Sequence, residues 1–146
     1  MRDLRFRAWD GKIMTFPKVV ALGINGRNGL PSASFQLNSG GYCTSADVMQ
    51  FTGLLDKQGK EIYEGDIVKV VEKKEYSKIH KKMRHRSIYG PSYIAPVIWN
   101  PVSTGFVMAY KWEDTGRIDD HLRITPKETK VIGNIYENPE LIQGVG

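Results

Sequence analysis

Residues 53–70, GLLDKQGKEIYEGDIVKV, constrain the fold more than any other passage of the chain. Leu54-Leu55 run into a polar turn at Asp56-Lys57-Gln58-Gly59, Ile62 and Tyr63 form a second short apolar pair, and Gly65-Asp66 turns the chain into an alternating run from Ile67 to Val71. Short apolar runs separated by turn residues are the pattern of β-strands joined by tight connections. A Gly-Asp pair before an alternating Ile-Val-Lys-Val strand recurs where small SH3-like barrels begin. Glycine accepts the positive φ of the bend and aspartate can bond the following amides. On its own the passage leaves other β architectures open.

The rest of the chain reads in the same way. In LRFRAWDGKIMTF, Leu4, Phe6 and Ala8 alternate with Arg5, Arg7 and Trp9, and Asp10-Gly11 is a tight-turn signal. This predicts a β-hairpin with strands near residues 3–9 and 12–16. Pro17 ends it, and a short apolar stretch follows from Val19 to Ile24. Residues 25–41 are rich in Gly, Asn and Ser, with a short strand expected at Ser34 to Leu37. Ala46 to Thr52 alternates Val48 and Gln50 with Met49 and Phe51, as a short strand does. Further strands are expected at Tyr93–Trp99, Gly105–Trp112 and Lys130–Tyr136. Pro96 cannot donate to a ladder, so its run should be an edge strand or begin after the proline. Ile118 to Ile124 fits a short strand or one helical turn. Asn138-Pro139-Glu140-Leu141 predicts a capped final turn with proline at the first helical position.

Three blocks, LRFRAWDGKIM, VMQFTGLLDKQGKEIYEGDIVKV and KVIGNIYENPELI, resemble in order and spacing the signature blocks of the YopX family. The resemblance implies a bacteriophage or prophage protein, a C-terminal part similar to an SH3-type small barrel, and no established biochemical activity. The chain departs from the family pattern chiefly between the second and third blocks, where Glu72 to Arg86 and Tyr89 to Pro96 are longer than usual. With the resemblance added, the expected fold is mainly β: an N-terminal β-hairpin region packed on a C-terminal SH3-like small barrel, with short helical segments. One domain over 1–146 is expected, with a subdivision into 1–45 and 46–146 and a basic insertion at 72–92.

Composition narrows the functional classes. At 146 residues with 40% hydrophobic and 25% charged residues, the chain can bury a core without metals or crosslinks. No apolar run approaches a bilayer span and the N-terminus has no signal-peptide core, which leads to the expectation of a cytoplasmic protein in a host cell. One cysteine, Cys43, excludes an internal disulfide and a multi-thiolate zinc site. The net charge of +5 is concentrated: Lys69 to Arg86 holds eight Lys and Arg against Glu72 and Glu75, leaving 13 basic and 14 acidic residues elsewhere. Local excess of this kind concerns partners rather than fold.

A search for catalytic groups finds little. Two of the three histidines, His80 and His85, lie in the basic stretch, where neighbouring positive charge opposes metal binding and protonation. Asp119-Asp120-His121 suggests a divalent-metal set, yet adjacent strand residues point to opposite faces, and a solvated loop is the simpler reading. Glu61, Glu64 and Asp66 suggest a nuclease cluster but fit a turn better. The glycine-rich passages at 23–29 lack the strand-to-helix context of a phosphate-binding loop. No catalytic residue, metal or cofactor is therefore expected.

Binding is the better-supported class. Lys73, Lys74, Lys78, Lys81, Lys82, Arg84 and Arg86, flanked by Tyr76, Tyr89 and Tyr93, combine phosphate-neutralising charge with rings that can stack on bases. Tyr76, Ile79 and Met83 have helical spacing, and a basic helix and a charged excursion between strands both remain open. The stretch is either simply solvated or meets nucleic acid, an acidic host protein or another copy of the chain. Trp99, Tyr110 and Trp112 offer a second, aromatic surface, unless they fill the core.

Overall fold

The computed structural model describes residues 4–16, 20–23, 32–36, 42–43, 47–71, 92–111 and 118–143. Among these the chain forms β1 (Phe6–Trp9), β2 (Met14–Thr15), β3 (Val20–Gly23), β4 (Ser32–Gln36), β5 (Tyr42–Cys43), β6 (Asp47–Leu55), β7 (Glu61–Tyr63), β8 (Asp66–Val71), β9 (Ser92–Asn100), β10 (Gly105–Lys111), β11 (Ile118–Arg123), β12 (Thr129–Asn134) and a helical turn, α1 (Glu140–Gln143). The protein is mainly β, and the chain divides into two compact units, Met1–Phe51 and Thr52–Gly146.

In the first unit the Asp-Gly signal gives the expected hairpin, shorter than the alternation suggests, with Ala8 opposite Thr15 and Trp9 opposite Met14. The Asp10 carboxylate accepts the backbone N–H groups of Lys12 and Ile13 at 2.8 and 2.9 Å. Those bonds, that of Ile13 foremost, hold its pKa below the usual value. β1 also pairs with the first half of β6, Arg7 opposite Met49. The arginine side of the hairpin is not a solvated face: Arg7 is buried, and the Arg5 guanidinium lies 4.2 Å from the centre of the Phe51 ring. On the other side Ala8 is fully buried while Leu4 is largely exposed. A separate sheet is formed in the order β3-β4-β5.

In the second unit five antiparallel strands in the order β11-β10-β9-β8-β12 curl into a small barrel of the SH3-like kind. Its core is Ile62, Val68, Val70, Ala95, Val97, Met108 and Val131, with Leu54, Tyr93, Phe106 and Ile124 packed against them. Alternation along β8 and β9 delivers one apolar side chain from every second residue to this interior. Each fully buried Val or Ile contributes on the order of 1.5–3 kcal/mol.

Asp56 joins the most legible part of the sequence to this barrel. Its Oδ1 accepts the N–H groups of Gln58 and Lys60 at 2.7 and 2.9 Å, closing the turn. Its Oδ2 accepts the N–H of Val131 in β12 at 3.0 Å, 75 residues further on. The Lys57 N–H donates to the Thr129 carbonyl beside it, at 3.0 Å. Burial would by itself push the Asp56 carboxyl up, but the amides of Val131, Lys60 and Gln58 outweigh it and hold the pKa below its ordinary 3.8.

The second turn is held from both sides. Gly65 has φ 77°, its N–H donates to the Val97 carbonyl at 2.8 Å, and its carbonyl accepts the Ile135 N–H at 2.9 Å. Asp66 is buried and accepts the N–H of Tyr63 at 2.8 Å, so its carboxylate reaches back along the chain. Near the C-terminus Asn134 Oδ1 accepts from Tyr136 and Glu137, and Asn138 Oδ1 accepts from Asn134 at 3.4 Å. Gly133 lies under that side chain: a Cβ there would stand 2.5 Å from Asn138 Oδ1. The N–H groups of Leu141 and Ile142 reach back to the carbonyls of Asn138 and Pro139, the capped proline turn read from the sequence.

Pro96 corrects an expectation. β9 is neither an edge strand nor confined to residues after the proline; it runs from Ser92 to Asn100 between β8 and β10. The β8 ladder passes Pro96, which stands opposite Ile67. The β10 ladder runs back along β9 from Asn100 and ends at Met108 opposite Val97, one residue short of the proline. A central strand thus tolerates the missing N–H because pairing on one side stops where it would be needed.

Two stability predictions follow from these contacts. Asp56→Ala should lose about 3 kcal/mol of unfolding free energy in urea denaturation at neutral pH, since three N–H groups lose a charged acceptor. A depressed carboxyl pKa contributes stability above its unfolded value and loses it as pH falls through the folded one. The gap between wild type and variant should therefore narrow below about pH 4. Gly133→Ala should displace Asn138 and cost about 1–2 kcal/mol, read as a lowered Tm.

Candidate nucleic-acid interface

The basic connection is positioned by the strands at its two ends. β8 ends at Val71 and β9 starts at Ser92, and these two residues face each other in the antiparallel ladder. Residues 72–91 therefore leave and re-enter the sheet at neighbouring points. The seven predicted contact residues, Lys73, Lys74, Lys78, Lys81, Lys82, Arg84 and Arg86, lie outside the described residues, as do Tyr76, Tyr89, His80 and His85. What the structure supplies is the place on the barrel to which their charge is tethered.

That place carries further basic residues. Lys69 on β8 is opposite Lys130 on β12, and on its other side opposite Ile94 on β9. Both lysines are exposed. Exposed Lys57 flanks β12 through its bond to Thr129. Tyr93, expected among the stacking rings, is half-buried and packs against the core cluster. Sequence reasoning missed Lys130 because its neighbour, Lys69, is distant in the chain; only strand register brings the two side by side.

The proposed aromatic surface is dispersed. Trp99 is 43% exposed and meets Phe106 edge to face with ring centres 5.1 Å apart. It sits near the Asn100 end of β9, about 20–25 Å by strand rise from Ser92, where the basic connection enters. Tyr110 belongs to the far end of β10, opposite Asp119 of β11, and Trp112 lies outside the described residues. The loop after Trp99 is folded by Asn100, whose buried Oδ1 accepts the N–H groups of Val102 and Ser103, and it leaves Val102 83% exposed.

Two of the acidic candidates have structural partners. Glu61 Oε2 accepts the Tyr63 hydroxyl at 2.7 Å, and buried Asp66 is bonded to the Tyr63 amide. Asp119, Asp120 and His121 are consecutive positions of strand β11, not a loop. Among the described residues no three of His, Cys, Asp and Glu are grouped to hold a metal ion, and no helix is long and apolar enough to cross a membrane.

Comparison with known proteins agrees with this architecture. The solved structure of protein yopX from Bacillus subtilis is similar, with a TM-score of 0.53, 20% identity, and 97% of this chain and 98% of that one covered. Protein EF1440 from Enterococcus faecalis is similar at a TM-score of 0.53 and 25% identity, covering 97% of this chain and 99% of that one. No curated protein matches. The family described as YopX protein matches residues 5–143, from the first hairpin to the final helical turn. The chain belongs to the YopX family.

Proposed function

We propose that this protein is a non-enzymatic binding module of a bacteriophage or prophage, acting in the host cytoplasm, that contacts nucleic acid through the basic segment 69–86. The observation that carries the reading is the coincidence of charge and attachment. Seven basic against two acidic residues fall on the connection between Val71 and Ser92, while the rest of the chain holds 14 of each. A tethered segment with a net positive charge favours a polyanion and speeds its encounter. The phage setting rests on the family resemblance.

A second reading has its own observation. Trp99, braced by Phe106 and followed by exposed Val102, gives the opposite end of the barrel an apolar surface suited to a host protein or a second copy. Sedimentation and host-lysate capture with Trp99→Ala would favour this reading if the variant alone lost the partner.

Salt-titrated binding to duplex and single-stranded DNA and RNA tests the primary reading. With five or six phosphate contacts the log–log slope against salt should be on the order of −4 to −5, and exchanging Lys73, Lys74, Lys78 and Lys81 for Gln should make it shallower by about 3 to 4. Absence of binding at about 50 mM salt contradicts it.

A further inference from the structure

We infer that the exposed sheet face bearing Lys69 and Lys130, flanked by Lys57, is a second contact surface for nucleic acid, and that it takes the phosphate backbone of a duplex. The inference rests on the proposed function in taking nucleic acid as the partner.

Lys69 and Lys130 stand directly opposite on paired strands, about 5 Å apart at this kind of position. Like charges so placed repel, and an opposite charge at one of the two positions would stabilise the pair instead. Neither lysine makes an ion pair among the described residues, and both are exposed. The third residue in the row, on β9, is Ile94, and the β12 side is flanked by Lys57. A line of anions laid across β8 and β12 would relieve the repulsion. The row adjoins the point where residues 72–91 leave the sheet, since Lys69 is two residues from Val71. The row thus lies beside the two points, Val71 and Ser92, at which that connection is attached to the sheet.

The chemistry favours a phosphate backbone. Lysines are mobile point charges without the planar fork that reads a fixed carboxylate or a base edge, so this row suits a repeating charge and not a single docked group. Base stacking needs an exposed ring, and the row offers none: its members are lysines and Ile94, while Tyr93 packs against the core. Backbone contact without stacking is how duplexes are bound irrespective of sequence.

The test is the salt dependence of binding to one 20–30 base-pair duplex and to the corresponding single strand, for wild type, Lys69→Gln/Lys130→Gln, and the segment variant exchanged at Lys73, Lys74, Lys78 and Lys81. The double variant should bind the duplex with a log–log slope shallower by about 1.8, and its Tm should equal or exceed that of wild type because the repulsion is gone. The single strand should bind more weakly than the duplex. If the segment variant loses slope and the sheet variant does not, this inference falls and the proposed function stands. If wild type binds neither nucleic acid, both fall. Binding of poly-glutamate in place of duplex would overturn the inference in favour of an acidic polypeptide, and tighter binding of the single strand would overturn the choice of duplex.

Discussion

The Asp56 carboxylate is the interaction on which the barrel depends. A turn aspartate ordinarily satisfies its own loop, and Asp56 does so through Gln58 and Lys60; its second oxygen also receives the Val131 amide from the last strand of the sheet. One buried side chain therefore fixes the position of β12 relative to the passage that opens the barrel. The cost of burying the charge is met by three amide donors, which is why its pKa falls despite desolvation. Thr129, opposite Val70, is drawn into the same junction by the Lys57 amide, and the register that results sets Lys130 against Lys69.

From that register the barrel acquires two unlike ends. Around Val71 and Ser92 the sheet carries exposed lysines and the attachment points of the basic connection. Around Asn100 and Gly105 it carries Trp99, Phe106 and an asparagine-folded loop. β9 connects the two, and Pro96 sits within it where the β10 ladder has just ended. Two of the acidic residues that suggest chemistry in the sequence have partners within the fold: Asp66 holds the Tyr63 amide and Glu61 the Tyr63 hydroxyl.

Much of this was legible in the residues, and the failures have physical causes. The turns at Asp10-Gly11, Asp56–Gly59 and Gly65-Asp66 were readable because their chemistry is local. The same holds for Asn138-Pro139, where cap and proline adjoin. The alternation at Ala46 to Thr52 marks a strand, β6, but leaves open which of its sides is buried; Met49 and Phe51 are. Pro96 misled because the rule about proline concerns hydrogen bonds on one side of a strand, and only the neighbouring strand decides whether those bonds are wanted. Tyr93 and Trp99 show the same limit: two aromatics on one strand, one packed against the core and the other half-exposed, with nothing in their sequence context to tell them apart. The Lys69–Lys130 pair depends on β8 and β12 being neighbours, information that no single stretch contains. The resemblance to the YopX family reached the architecture because the blocks that carry it are turns and strand starts. It did not reach a function, because turns and strand starts carry no chemistry, and the basic connection lies between those blocks.

We propose that one end of the barrel receives a polyanion and the other does not. Amide chemical-shift mapping of the isotopically labelled protein during titration with a short duplex addresses it most directly. Shifts confined to residues 69–93 and to the neighbourhood of Lys57 and Lys130, with Trp99 to Phe106 unmoved, are the predicted result. Shifts centred on Trp99 to Phe106, with Lys69 and Lys130 unmoved, would contradict it.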